Sequence, residues 1–184
     1  GDVYKRQVDT KEMTRHELRD RFGMVLQDAW LFEGSIRDNI AYAQDNLPEE
    51  KIIAAARSAS VDSFIKTLPG GYDFELSTGA ENISQGQRQL LTIARAMASD
   101  PEIMILDEAT SNVDTHTEQL IQKALAKLMH GRTSFVIAHR LSTIRDADMI
   151  LYMEHGDILE HGSHEELMAQ HGKYEALYMS QFAQ

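Results

Sequence analysis

Four polar residues follow short apolar runs of the sequence and could together do phosphate chemistry. Gln27 ends FGMVLQ, Asp107 and Glu108 follow IMIL, and His139 follows TSFVIA. Such runs are typical of strands in a buried sheet. Ligands of open α/β sheets bind beyond the carboxyl ends of the strands. If these strands are neighbours, we expect the four side chains to converge on one edge of the sheet.

Each of the four residue types has a use in phosphate hydrolysis. Asp107 can hold Mg²⁺ directly or through water, and Glu108 can polarise a water for in-line attack. Gln27 can reach the metal or the water without adding charge, and His139 can contact the γ-phosphate. Taken singly, Asp107 and Glu108 are better explained as the start of a turn, and His139 as a strand cap. Their common position at strand ends favours a site.

A second candidate for phosphate contact is the start of NISQGQRQLLTIARA. Ser84 and Gln87 have capping-box spacing, so Ser84 is the predicted N-cap of a helix. A helix N-terminus presents N–H groups and a positive dipole end to an anion. Gly86 would let the backbone approach a phosphate closely. The simpler interpretation is a well-capped helix whose apolar face lies on the core.

The elements around these residues alternate between strand and helix patterns. Helices are predicted after Pro48, from Ser84 and over TEQLIQKALAKLM, where Thr115 and Glu118 have capping-box spacing. Near the end, DMILYM and DILEHG are separated by a tight turn and form a candidate antiparallel pair, and Ser163 is predicted to open the last helical region. Strands alternating with helices predict an α/β fold with a mostly parallel sheet.

Composition excludes several classes of protein. The 184 residues carry a net charge of -11, which argues against binding to a nucleic-acid backbone. The sequence has no cysteine, so disulfides and thiolate metal sites are excluded. No apolar run approaches the ~18–20 residues that span a bilayer, and the first residues lack the pattern of a secretory signal. We therefore expect no membrane-spanning segment in this sequence, so any membrane role requires a partner or a further segment.

Four motifs, in order, resemble those of ABC-transporter ATPase domains. VLQD is similar to the Q-loop, NISQGQRQ resembles the signature motif, IMILDEATSNVD resembles the Walker B motif and D-loop, and FVIAHRLSTI is similar to the switch-histidine segment. LFEGSIRDNI and DILEHGSHEEL are similar to the exporter branch. The resemblance implies a P-loop NTPase-like fold: a mostly parallel sheet with flanking helices and a helical signature subdomain over about residues 35–97.

The same resemblance implies an ATPase that uses ATP and Mg²⁺. Glu108 and His139 would be catalytic, and Gln27 and Asp107 would bind the metal ion. A transmembrane domain, fused upstream in the exporter branch, would be one partner. The location implied is the cytoplasmic face of the cell membrane, with no nucleic acid involved.

In this family two ATPase domains pair head to tail with ATP between them. The resemblance therefore implies that Ser84, Gln85, Gly86 and Gln87 contact the nucleotide held by a second ABC ATPase domain. That partner is an identical or a different chain. Asp114, which ends SNVD, would couple the two sites across the interface.

The sequence departs from the family pattern in three ways. Gln85 stands where glycine is commonest, and Ile83 stands where leucine is usual. No G-x-x-x-x-G-K-[ST] occurs, so the phosphate-cradling P-loop is absent from this sequence. Residues 1–7 do not match what the family has ahead of VDTKEMTRHELR, which suggests a truncated or joined start. We expect a partial domain over residues 8–180, inactive and poorly soluble by itself.

Two alternative functions compete with the exporter. One is a soluble ABC-type ATPase acting on chromosomes or ribosomes, although this acidic sequence has neither coiled-coil nor basic segments. The other is a non-catalytic subunit kept for dimerisation, against which Glu108 and His139 argue. Trp30 and Phe32 follow the Q-loop, and they fit a dock for the membrane domain and a place in the core equally well.

The histidines near the end of the sequence suggest a metal site only weakly. They are His155, His161, His164 and His171. His161 and His164 are close enough in sequence to share an ion. No cysteine or carboxylate pattern completes a recognised site around them. Exposed turn histidines are the simpler interpretation.

Overall fold

The structure, a computed structural model, describes residues 12–27, 30–42, 44, 46–107, 113–138 and 141–182. For residues 141, 142, 181 and 182 it describes the backbone alone. The chain divides into two compact units, Gly1–Val136 and Ile137–Gln184. Among the described residues, no helix is both long and apolar enough to cross a membrane.

The described elements up to residue 137 are mostly helices, with short strands between them. The helices are α1 (Arg15–Asp20), α2 (Ile36–Ala41), α3 (Glu49–Ser58), α4 (Asp62–Ile65), α5 (Gln85–Ser99) and α6 (Thr115–Met129). The strands are β1 (Phe22–Val25), β2 (Gly34–Ser35), β3 (Glu75–Leu76), β4 (Ile103–Asp107) and β5 (Thr133–Ile137). Two single-turn 3₁₀ helices, Gly71–Asp73 and Thr78–Ala80, flank β3.

The main sheet has the strand order β1-β4-β5. β1 and β4 are parallel, with Phe22 opposite Ile103 and Val25 opposite Leu106. The strands that lead to Gln27, Asp107 and His139 are therefore neighbours, which is the condition that the sequence left open for their convergence; about 80 residues separate β1 from β4. β2 and β3 form a separate antiparallel pair.

Helix α5 is the centre of the core. It packs against α2, α3, α6 and β1. Its apolar positions recur at helical spacing, and Leu91, Ile93 and Ala94 are fully buried. On α6, Ile121, Leu125 and Leu128 form the buried face that the sequence predicts.

A buried carboxylate fixes the turn that follows α4. Asp62 accepts hydrogen bonds from Lys66 Nζ at 2.7 Å and from Tyr72 Oη at 2.8 Å, and Arg57 lies 3.5 Å away. The Lys66 hydrogen bond is the largest cause that lowers the pKa of Asp62. Burial, then the bond to Asp62, raises the pKa of Tyr72. The network therefore favours the charged carboxylate and the neutral phenol.

The second unit is a β-hairpin with helices. Its elements are α7 (Leu141–Arg145), β6 (Ile150–Glu154), β7 (Asp157–Gly162), α8 (His164–Ala169) and α9 (Lys173–Phe182). β6 and β7 are antiparallel, which confirms the prediction for this pair. Ser163 and Glu166 form the expected capping box of α8. Helix α9 is capped from β7, because Glu160 accepts hydrogen bonds from the backbone N–H groups of Lys173 and Tyr174.

The predicted N-cap of α6 was wrong by one residue. The N-cap is Asp114, whose carboxylate accepts the Thr117 N–H at 2.9 Å. Thr115 is the first residue of the helix. The physical reason is that an aspartate at this position reaches the third N–H of the helix and adds a negative charge at the positive dipole end.

Candidate functional site

The start of α5 is the predicted capping box. The Ser84 Oγ accepts the Gln87 N–H at 3.3 Å, and the Gln87 Oε1 accepts the Ser84 N–H at 2.9 Å. Ser84 is exposed, while Ile83 before it is buried in the core. The cap uses neither the hydroxyl proton of Ser84 nor the amide NH₂ of Gln87. The start of α5, which also includes Gln85, thus keeps donors that could bind an anion.

Gly86 is buried, and its lack of a side chain serves helix packing. A Cβ atom there would lie 2.4 Å from Thr117 Cγ2 and 3.1 Å from Val113 Cγ1. The start of α5 therefore touches the start of α6, and glycine is the residue that permits this approach. The close approach of its N–H to a phosphate stays a prediction.

Asp114 belongs to the same contact. It caps α6 through the Thr117 N–H, the hydrogen bond that is the largest cause of its lowered pKa. The Thr117 side chain in turn lies against Gly86, where a larger side chain would collide with it. The predicted coupling residue and the predicted signature residues are thus joined through Thr117. Sequence reasoning missed this link because 31 positions separate residue 86 from residue 117.

The strand-end residues are brought together in part. Asp107 is the last residue of β4 and is half-buried, and Gln27 is exposed two residues beyond β1. The register of Val25 opposite Leu106 aligns these two strand ends at one edge. Glu108 and His139 lie outside the described residues, so their predicted roles stay predictions.

Gln27 and Asp107 suit a magnesium ion chemically. Both offer oxygen ligands, which Mg²⁺ prefers, and Mg²⁺ usually takes few protein ligands beside water and phosphate oxygens. Within the described parts of the chain, no group of three or more His, Cys, Asp or Glu residues could hold a metal ion. Gln27 and Asp107 could thus share such an ion with water and phosphate oxygens.

An exposed aromatic cluster lies beside the strand-end region in the sequence. It consists of Trp30, Phe32 and Tyr42, whose ring centroids are 5.9–6.2 Å apart. Trp30 is 61% exposed, so it is not a core residue, and Phe32 is half-buried. The sequence alone did not reveal Tyr42, since it lies in a different segment from the other two.

Two histidines of the second unit, His164 and His171, contact neighbouring side chains. His164 Nδ1 lies 2.9 Å from Tyr174 Oη, and its ring centroid lies 4.8 Å from that of Tyr178. His171 pairs with Glu175 along α9 at 3.0 Å. These contacts account for the two rings as parts of local packing and helix-surface pairing.

The family model described as ABC transporter matches residues 1–111 of this chain. YfiC of Bacillus subtilis, an uncharacterized ABC transporter ATP-binding protein, is 53% identical over 95% of the chain and 29% of its own length. A fatty acid ABC transporter ATP-binding/permease protein of Mycobacterium tuberculosis is 54% identical over 91% of the chain and 26% of its own length. The ATP-dependent lipid A-core flippase of Desulfotalea psychrophila is 49% identical over 95% and 30%.

A solved structure gives the same result. A bacterial Atm1-family ABC exporter with ATP bound matches with a TM-score of 0.82 and 40% identity, over 94% of this chain and 30% of the exporter chain. The chain thus spans about a third or less of the length of the relatives it matches. The shared fold is an α/β ATP-binding domain. The chain belongs to the ABC transporter family, and it matches the exporter-type ATP-binding domain of that family.

Proposed function

We propose that this chain is part of the ATP-hydrolysing domain of an ABC exporter, and that two such domains close head to tail around Mg-ATP. The observation that carries the proposal is the exposed start of α5, where a completed capping box leaves donors of Ser84 and Gln87 for another molecule. Positive dipole ends of this kind favour phosphate. If the start of α5 bound the chain's own nucleotide, a second set of phosphate-contacting residues at the strand ends would be unnecessary.

The chain's own contribution to hydrolysis is at the ends of β1 and β4. Asp107 and Gln27 would hold Mg²⁺, which supplies charge neutralisation to the phosphates when it is bound. Glu108 would accept the proton of the attacking water, and His139 would contact the γ-phosphate. The shared edge of the two parallel strands supports this assignment. Asp114 would carry the state of one site to the other, since it is joined to the signature residues through Thr117.

The aromatic cluster would receive the transmembrane domain. Trp30 is a large apolar side chain that is mostly exposed, and such residues in a group mark interaction sites. The relatives described as ATP-binding/permease proteins carry both functions in one polypeptide. The parent protein would accordingly lie in the cell membrane, with this domain on the cytoplasmic face and its exported substrate chosen elsewhere.

The head-to-tail arrangement is tested with Ser84→Arg in a mixed dimer of the complete exporter. The arginine fills the start of α5, so the site completed by the altered signature should fail while the other still traps nucleotide. Photolabelling of each site with an ATP analogue measures this. Damage confined to the altered chain's own nucleotide site would contradict the arrangement.

Hydrolysis itself is tested with Glu108→Gln and His139→Ala in the complete exporter. The amide keeps the shape of Glu108 but cannot accept a proton, so turnover should be abolished while nucleotide binding remains. His139→Ala should lower turnover strongly at nearly unchanged ATP affinity. Near-normal turnover of Glu108→Gln would remove that residue from the catalytic role, and a parallel fall of affinity and turnover would make His139 a binding residue.

The soluble alternative has less support. The relatives and the solved exporter named above are membrane transport proteins or proteins named as ABC transporters. None of these names describes a chromosome- or ribosome-bound ATPase. Export therefore remains the proposed function.

A further inference from the structure

Arg95 is a partly buried cation on α5 that the proposed chemistry does not use. Burial is the largest cause that lowers its pKa, yet an arginine side chain stays charged in proteins. Among the described residues no carboxylate pairs with it. Burial of a charge is costly unless hydrogen bonds or ion pairs compensate. Its contacts should therefore show what it is for.

The guanidinium donates to one short segment and to the helix that follows. Nε donates to the Asn39 carbonyl at 2.8 Å, one terminal nitrogen to the Trp30 carbonyl at 3.0 Å, and the other to Asn39 Oδ1 at 3.0 Å. The cation also lies 4.7 Å from the Tyr42 ring centroid and 5.9 Å from that of Trp30. The planar fork of arginine suits this set of acceptors.

Asn39 holds the other side of the same segment. It is fully buried, and its Oδ1 accepts the Phe32 N–H at 3.1 Å. Its Nδ2 donates to the carbonyls of Phe32 and Ser35, both at 3.0 Å. Arg95 and Asn39 together, which we call the bracket, thus fix the backbone of residues 30–32 on α2 and α5. The side chains of that segment belong to the exposed aromatic cluster.

The bracket connects this cluster to the start of the signature helix. Arg95 lies three turns along α5 from Ser84, a distance of about 16 Å at 1.5 Å per residue. α5 is one uninterrupted helix from Gln85 to Ser99, packed on three other helices. A displacement of the aromatic cluster would therefore move the helix as a body, because the bracket leaves the segment little freedom of its own.

We propose that Arg95 is a positioning residue, which transmits the seating of the membrane domain on the aromatic cluster to the helix start at Ser84. The inference rests on the proposed function for what the two ends do. The bracket itself rests on the hydrogen bonds alone. The alternative is that Arg95 and Asn39 are only a buried polar pair that stabilises the packing of α2 on α5.

The first experiment asks whether Arg95 holds the cluster, whatever the function. Trp30 is the single tryptophan of this sequence. In the complete exporter, with every tryptophan outside this sequence replaced by phenylalanine, time-resolved fluorescence anisotropy therefore reports on the Trp30 side chain alone. Arg95→Lys keeps the charge but loses the fork, and the fast rotational component of Trp30 should grow. Arg132→Lys is the matched control, since Arg132 also binds a backbone carbonyl, that of Leu128, away from the cluster. Equal anisotropy in Arg95→Lys and the wild type would overturn the proposal.

The second experiment asks whether Arg95 acts through the cluster. In the complete exporter, the turnover of ATP hydrolysis is measured for Trp30→Ala, for Arg95→Lys and for the double variant, with rates normalised to folded protein. Trp30→Ala should lower the turnover about tenfold. If Trp30 and Arg95 serve one path, the double variant should be no slower than Trp30→Ala. Trp30→Ala combined with Arg132→Lys should show independent effects. Multiplying losses for Trp30 and Arg95 would reduce the bracket to a packing role and overturn the proposal.

A third variant tests the bracket if Arg95→Lys does not fold. Asn39→Asp keeps the acceptors for Arg95 and the Phe32 N–H but loses both donors, so Trp30 should again gain rotational freedom. An unchanged Trp30 in a folded Asn39→Asp variant would overturn the bracket. If the wild-type exporter shows no ATP hydrolysis, the proposed function fails, and the anisotropy experiments still decide whether the bracket exists.

Discussion

The two faces of the strand pair β1 and β4 have similar apolar residues but different surroundings. On one face, which we call the packed face, Val25, Met104 and Leu106 lie in the same core as α5 and α6. On the other, the open face, Phe22 is 39% exposed and Met24 is 57% exposed. Alternation along a strand assigns the two sets to opposite sides.

This difference explains why the strands are continuous apolar runs. A strand that meets water on one face alternates apolar and polar residues, whereas a parallel strand covered on both faces does not need to. Phe22 and Met24 are residues suited to a covered strand. They therefore mark a surface on which a second layer would pack, and α5 and α6 lie in the core on the opposite face.

The largest loss of stability is expected from a substitution in the core that covers the packed face. Ile93→Ala removes a fully buried side chain of α5 and leaves a cavity, so the free energy of unfolding should fall by about 2–5 kcal/mol. Met24→Ala on the open face is the control and should change it by about 0.5 kcal/mol or less. Urea denaturation followed by circular dichroism measures both. Equal losses would mean that the open face is covered in solution.

A smaller effect is expected where α5 meets α6 at the edge of the packed region. Gly86→Ala places a methyl group 2.4 Å from Thr117 Cγ2. The strain should cost about 1–3 kcal/mol, more than the gain in helix propensity of up to about 1 kcal/mol. Thr117→Ser removes the clashing methyl, so the double variant should regain most of the loss in thermal unfolding. A double variant no more stable than Gly86→Ala would show that another contact makes glycine necessary.

The Asp62 network predicts a pH dependence for the helical part of the packed region. The pKa of Asp62 is lowered from the ordinary 3.8, mainly by the hydrogen bond from Lys66, so the folded state favours the ionised carboxylate. This stabilisation is present above the unfolded-state pKa and is lost as the pH falls through the folded-state pKa. Asp62→Asn should lose about 1 kcal/mol at neutral pH.

The comparison of wild type and Asp62→Asn across pH then separates this residue from the other acids. Denaturant unfolding from pH 6 downward should show the two curves converging once the pH falls below the unfolded-state pKa of 3.8 and meeting only below the lower folded-state pKa. A constant difference between the curves would mean that the amide disrupts packing and that ionisation of Asp62 contributes nothing.

The smallest change in stability is expected for a polar substitution on the open face. Met24→Ser should alter the free energy of unfolding by about 0.5 kcal/mol or less, since the side chain is mostly exposed. It should nevertheless reduce the fluorescence of the dye ANS, which binds exposed apolar surface. Unchanged dye fluorescence would place the dye-binding surface elsewhere on the molecule.

Local patterns predicted the elements well, and contacts between distant residues escaped them. The Ser84 capping box and the strands that lead to Gln27 and Asp107 follow from residue spacing alone, whereas the pairing of those two strands does not. The cap at Asp114 was missed by one position because Thr115 has a similar local pattern. The hydrogen bond from Arg95 to Trp30 joins residues 65 positions apart, so no window of sequence contains both.

The cap of α9 has a consequence for the order in which the second unit folds. Helix α8 has its capping residues at its own start, Ser163 and Glu166, so its first turn can nucleate locally. Helix α9 depends on Glu160 of β7, 13 residues before Lys173. Closing that loop requires the strand to be in place first. We therefore expect α9 to form after the hairpin, and Glu160→Gln to slow the last step of refolding more than it slows the formation of α8.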